Sequence, residues 1–137
     1  MIFVGANVPM YLVGRPHLRK LDAQLTLERL AGEHRQLVTS SEVFRELLYR
    51  YASTGRYDRI ESSFEVLRGV VEEVLAVEEA DVFAAKDLAH AHRSLSARDA
   101  LHAATMRRRQ ITEILSFDSG FDEISGITRL PAPQPGA

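Results

Sequence analysis

The chain contains no cysteine. No disulfide can therefore staple it and no thiolate can hold a metal, which fits a reducing, cytoplasmic setting. Any metal would have to be held by oxygen or imidazole. Long apolar runs are missing too. The apolar start Met1-Ile2-Phe3-Val4 has no basic segment before it and is broken by Gly5, Asn7 and Pro9, which argues against a signal peptide and against a membrane span. There is no glycine-rich phosphate loop, so a nucleotide-binding or small phosphatase-like α/β domain has no support. Positive charge is not in excess: 17 Lys and Arg stand against 19 Asp and Glu, a net charge of −2. A nucleic-acid partner would have to be met by a local basic patch, because the overall field gives no attraction.

What is present is ordinary for a globular chain. Of 137 residues, 45% are hydrophobic and 26% charged, enough for one compact domain that buries its own core without staples. We place that domain at residues 1–130. The Pro-, Ala- and Gly-rich stretch Pro131 to Ala137 reads as a loose tail.

Periodicity divides the domain into alternating strands and helices. Ile2-Phe3-Val4 is continuously apolar, as suits a strand of a parallel sheet covered on both faces. A helix follows from about Val8, broken by Gly14 and Pro16, and a second runs from about His17 to Ala31. Gln36 to Thr39 reads as the second strand. Thr39 then reads as a helix cap, with Glu42 three residues on as in a capping box. Val43, Phe44, Leu47, Leu48 and Tyr51 give that helix an apolar stripe, ended by a turn near Gly55. Tyr57, Ile60, Phe64, Leu67 and Val71 repeat at 3-4-3-4 spacing, a further helix whose stripe is most simply core. Any part of it left exposed would make a groove for an amphipathic partner helix. Val74 to Val77 is a third strand. A helix spans Glu78 to about Ala91, another Ser96 to about Arg109, and Ala100, Ala103 and Ala104 let the latter approach a sheet closely. Ile114 to Phe117 and Ile127 to Leu130 are the fourth and fifth strands. This alternation indicates a three-layer α/β/α sandwich around a short, mainly parallel sheet. In such sheets the ligand site lies beyond the carboxyl ends of the strands.

Acids fall where that rule points. Glu46 lies in the second turn of the helix after strand two. Asp99 lies in the first turn of the helix before strand four. Asp118 closes strand four, and Asp122 follows four residues later. Carboxylates gathered without a Lys or Arg repel one another unless a cation neutralises them. All-oxygen donors favour Mg2+ or Mn2+, ions suited to phosphodiester hydrolysis because they activate water and stabilise both the phosphoryl and the leaving oxygen. Structural roles remain open for each acid: Asp99 as the partner of a Ser96 cap, Asp118 as a turn cap, Glu46 as a solvated helix residue. Arg107-Arg108-Arg109 could meet RNA phosphate, although basic residues at a helix C-terminus are also what the helix dipole favours. His102, one turn after Asp99, is either part of the pocket or a packing or surface residue. His90 and His92 read as surface residues.

Four segments together resemble the PIN-domain ribonucleases, in particular their toxin branch. Val4-Gly5-Ala6-Asn7-Val8 resembles the opening of that family, where a strand ends in Asp-x-Asn or Asp-x-Ser. Ser40-Ser41-Glu42-Val43-Phe44-Arg45-Glu46-Leu47 resembles its second motif, with Glu46 as the acid. Ser96-Ala97-Arg98-Asp99-Ala100-Leu101-His102-Ala103-Ala104 is similar to the third, with Asp99 as a metal acid. Ser116-Phe117-Asp118-Ser119-Gly120-Phe121-Asp122 resembles the fourth, with Asp118 as ligand and Asp122 as helper. Order and separation match along nearly the whole chain. The resemblance implies a toxin-type endoribonuclease dependent on Mg2+ or Mn2+, with RNA as substrate, an antitoxin whose tail covers the acidic pocket, and a homodimer.

One position departs from the pattern. Gly5 stands where the family places a principal metal-binding Asp. Asp99, Asp118 and a water-bridged Glu46 would remain as ligands, with weaker metal binding, and loss of one placed electrostatic contributor typically costs about 100-fold in rate. The chain is either a naturally degenerate homologue or carries a deliberate or selected substitution, since an active toxin harms the cell that makes it. With both origins, Gly5 could also simply serve a backbone turn. Two functions follow as expectations: an impaired RNA-cleaving toxin, or an inactive PIN-like module that binds antitoxin or RNA.

Overall fold

The computed structural model describes residues 1–130; the expected loose tail lies outside them. The chain runs β1 (Ile2–Val4), α1 (Asn7–Val13), α2 (Leu18–Gly32), β2 (Leu37–Ser40), α3 (Ser41–Ser53), α4 (Tyr57–Val70), β3 (Glu73–Leu75), α5 (Glu79–Ala91), α6 (Ala97–Arg108), β4 (Glu113–Leu115), a 3₁₀ turn (Ser119–Glu123) and β5 (Thr128–Leu130). All strand pairs are parallel, in the order β3-β2-β1-β4-β5. Helices cover both faces, giving the expected three-layer sandwich. α1 to α4 contact one another as one group, and α5 packs on α6.

Burial explains why β1 is central. Ile2, Phe3 and Val4 are all fully buried, each stabilising the fold by about 1.5–3 kcal/mol relative to exposure. Ala100, Ala103 and Ala104 of α6 are buried too, and their small side chains permit the close approach inferred from the sequence. From β1 the chain winds outward through β2 to β3, then returns across the sheet to place β4 on the other side of β1. The order reverses between β1 and β4, and such a switch point leaves a crevice at the carboxyl ends of the two strands.

The differences from the sequence reading are local. Strand β3 begins one residue earlier than expected, and β4 spans Glu113–Leu115 rather than Ile114 to Phe117. The capping box at α3 is absent. Ser40 is the N-cap and makes no side-chain cap. Thr39 is fully buried and its hydroxyl donates to the Val4 carbonyl at 2.8 Å, bracing β2 against β1. Glu42 pairs with Arg45 instead. A deep position turned the hydroxyl toward the sheet, which local spacing could not show. The Tyr57–Val71 stripe is graded: Tyr57 is 65% exposed, whereas Leu67 is fully buried. No helix among the described residues is long and apolar enough to cross a membrane.

Candidate active site

The crevice between β1 and β4 holds a small cavity of about 50 Å3. Residues 5–7 following β1, Glu46 of α3, Arg98, Asp99 and His102 of α6, and Ser116, Asp118 and Phe121 following β4 line it. Three of the four acids singled out from the sequence are thus gathered by separate elements.

Asp99 and Asp118 meet directly, their carboxyl groups within hydrogen-bonding reach. The backbone around them fixes both. Asp99 N–H donates to the Ser96 hydroxyl at 3.1 Å, so Ser96 caps α6. Asp118 Oδ1 accepts from Gly120 N–H at 2.9 Å. The structural roles left open for these acids therefore coexist with the site. Burial, then the hydrogen bond and charge of Asp118, then Glu46, push the Asp99 carboxyl up to about 7. The same contact with Asp99 holds Asp118 below the ordinary carboxylate range, helped by Gly120 N–H, Arg98 and Arg129 against an opposing cost of burial. Two carboxyl groups so placed resist ionising together.

Glu46 is held differently. Its Oε1 lies 3.0 Å from His102 Nε2, and its Oε2 3.7 Å from Arg98. His102 is 3% exposed, tilted against the Phe3 ring at 5.6 Å, with Nδ1 unpartnered among the described residues. His102 thus both packs in the core and lines the pocket, and only the surface alternative falls away. The link between Glu46 and His102 was not anticipated, although the 98, 99 and 102 spacing on one helix face was its available signal. Asn7 and Ser116 are also structural parts of the site. Asn7 Oδ1 accepts from Phe117 N–H at 3.3 Å, its amide donates to Ser116 Oγ at 3.4 Å, and Ser116 Oγ accepts from Asp118 N–H at 3.0 Å. These bonds tie the turn after β4 to the start of α1.

Asp122 does not line the cavity. Its carboxylate takes two hydrogen bonds from Arg129, at 2.9 and 3.0 Å, and these hold it in the ionised form against the small cost of burial. The arginine triplet at the end of α6 is likewise engaged within the chain. Arg107 donates to the Ser125 carbonyl, Arg108 to Asp81, and Arg109 to Glu73.

Gly5 continues the β1–β4 pairing, its N–H donating to the Leu115 carbonyl at 3.0 Å. Its backbone is not in the left-handed region, and a Cβ placed there would meet nothing nearer than Leu115 O at 3.5 Å and Ser116 Cβ at 3.6 Å. These are ordinary contacts, so the turn explanation for Gly5 does not hold: neither conformation nor space requires glycine.

The carboxylate donors suit a hard divalent cation in kind, offering oxygen from two opposed acids. In number they fall short. Among the described residues no three acid, His or Cys side chains stand together as an ion site; Glu46 is engaged by His102 and Arg98, and Gly5 has no side chain.

Similarities to known proteins agree with this arrangement. Residues 2–127 match the PIN domain family. The chain is 48% identical over 130 residues to ribonuclease VapC13 of Mycobacterium tuberculosis, covering 95% of this chain and 99% of that one. It is 43% identical over 118 residues to ribonuclease VapC23 of the same species, covering 86% and 93%. Among solved structures, M. tuberculosis VapC20, a sarcin-ricin loop cleaving toxin, superposes with a TM-score of 0.75 over 97% of this chain and all of that one at 23% identity. The VapBC2 assembly of Rickettsia felis, bound to promoter DNA, gives 0.75 over 97% and 100% at 17% identity. The fold, the crevice at the strand switch point and these relatives place the chain in the PIN-domain family, among the VapC ribonucleases.

Proposed function

We propose that this chain is a toxin-type endoribonuclease that hydrolyses RNA phosphodiester bonds with Mg2+ or Mn2+, and that Gly5 impairs it. The observation that carries the reading is the Asp99–Asp118 pair, two carboxylates brought together at the switch point and opposing each other's ionisation. These two would hold the ion, with Glu46 behind them. A bound divalent ion would supply charge neutralisation of the phosphodiester and a more acidic water.

The chain's own residues do the rest. Asn7 and Ser116 fix the turn that carries Asp118. His102 and Arg98 orient Glu46, through Oε1 and Oε2 respectively, beside the carboxylate pair. Buried Phe121 closes one wall against bulk solvent. Asp122, tied to Arg129 outside the cavity, takes no part as a ligand.

The similarity to assembled VapBC structures supports an antitoxin partner; RNA as substrate, a homodimer and a cytoplasmic setting are part of the same proposal, the last in keeping with a chain without cysteine. Leu18, Leu21 and Leu25 leave an apolar stripe exposed on α2, a surface for such a protein contact. Sedimentation of the isolated chain tests the dimer: a monomer at micromolar concentration would remove it.

The second reading, a binding module without catalysis, rests on Gly5. Gly5→Asp decides between them. The backbone at position 5 accepts a Cβ at ordinary contact distances, so we expect RNA cleavage in Mg2+ or Mn2+ to rise about 100-fold or more, with Gly5→Ala unchanged as the control. Cleavage by Gly5→Asp no better than by the parent chain would mean that position 5 is not what silences it, and no cleavage by either would favour the binding module.

A further inference from the structure

The acidic cavity has a basic counterpart. Between the end of α1, the start of α2, and helices α3 and α4 lies a cavity of about 460 Å3. Arg15, Arg50 and Arg59 line it, with Tyr11, His17 and Tyr51 and no acid. Arg59 is fixed there by its bond to the Val13 carbonyl; Asp58, at 3.8 Å from Arg59, lies outside and is turned mainly to Arg56. Neither Arg15 nor Arg50 has a side-chain hydrogen bond or ion pair among the described residues. Guanidinium groups gathered without a counter-charge favour an anionic occupant.

An aromatic path joins this cavity to the carboxylates. Phe117 directly precedes Asp118. Its ring meets the edge of Tyr11 at 5.4 Å, and Tyr11 stacks on His17 at 5.4 Å and 30°. Arg19 lies over both Phe117 and Tyr11, at 5.1 and 5.9 Å. Tyr11 and His17 are also walls of the basic cavity. Arginines interleaved with aromatic rings match the alternation of phosphate and base in a single strand, whose bases stack while its phosphates pair. The arginine triplet of α6 is spent on internal partners, so the local basic patch that a chain of net charge −2 needs is here.

We infer that the Arg15–Arg50–Arg59 cavity and the Tyr11–His17–Phe117 path form a track for single-stranded RNA, seating flanking phosphates in the cavity while the strand passes Asp118. The inference rests on the ribonuclease reading for the direction of the strand, but it concerns binding and is measured without catalysis.

The test is fluorescence anisotropy of an end-labelled, unstructured RNA oligonucleotide with the full chain in EDTA, over a series of salt concentrations. The double variant Arg15→Ala/Arg50→Ala should bind about 10-fold more weakly, and its slope of log affinity against log salt should fall by about 1.4, roughly 0.7 for each phosphate left without its arginine. Tyr11→Leu should weaken binding about 5-fold or more and leave that slope unchanged. A circular dichroism spectrum like the parent's confirms that each variant is folded. Unchanged affinity and slope in the double variant overturn the track, and leave the cavity to an acidic peptide if one is found to bind. No binding by the parent at about 100 µM protein in low salt overturns it as well. Failure of the ribonuclease reading looks different: Gly5→Asp would not cleave, yet loss of salt-dependent binding in the double variant would stand.

Discussion

Asp81 and Asp99 occupy the same local position and meet opposite fates. Each stands three residues after the N-cap of its helix, Glu78 for α5 and Ser96 for α6. Asp81 is 1% exposed, and its burial opposes ionisation. Arg108 nonetheless bonds it at 2.7 and 3.1 Å, Glu78 N–H donates at 3.0 Å and the Thr105 hydroxyl at 3.2 Å. The outcome is a carboxyl held below its ordinary range. Asp99 has a second carboxylate for a neighbour instead of a guanidinium, and is pushed up to about 7. A buried acid with its counter-charge built in holds two helices together. A half-buried acid facing another acid is a place that something outside the chain can complete.

The comparison can be broken most directly at Asp81. Asp81→Ala leaves the Thr105 hydroxyl, the Glu78 amide and Arg108 without their acceptor. We expect a loss of about 2 kcal/mol, or roughly 7 °C in Tm for a domain of this size, with RNA binding at the distant crevice unchanged at temperatures where the variant is folded. A thermal melt showing no loss would mean that this acid is as dispensable as a surface residue.

Asp99→Asn should act in the other direction. A folded carboxyl raised to about 7 binds more protons than the unfolded chain between pH 4 and pH 7, so its contribution to stability is complete at low pH and is lost as pH rises through the folded value. The variant should therefore gain on the order of 1 kcal/mol at pH 8 and nothing at pH 4. The depressed Asp81 has the opposite sign, its contribution present at neutral pH and lost only as acid protonates it. A parent-like melting curve for Asp99→Asn at both pH values would show that Asp99 and Asp118 do not oppose each other.

The smallest expected effect is the response to an ion. Mn2+ at millimolar concentration should raise the parent's Tm by about 1–3 °C, consistent with an incomplete donor set. The rise should vanish in Asp118→Asn and grow in Gly5→Asp. An equal rise in Asp118→Asn would move the ion elsewhere.

The sequence alone determined the order of elements, because buried parallel strands are continuously apolar and the helices between them repeat at 3.6. The resemblance of four segments to the PIN domains marked Glu46, Asp99, Asp118 and Asp122, and Gly5 as the odd position, where spacing alone left structural roles open. Tertiary structure decided which partner each polar group met. It took Thr39 from a helix cap to a brace for β1, bound Asp122 to Arg129, spent the α6 arginines inside the chain, and joined Glu46 to His102. The basic cavity drew on four helices and their connections, with no motif to announce it. The physical reason is range: periodicity reports neighbours within a turn or a strand, whereas hydrogen bonds and charge pairs between residues far apart in sequence exist only once the sheet has brought them within a few ångströms.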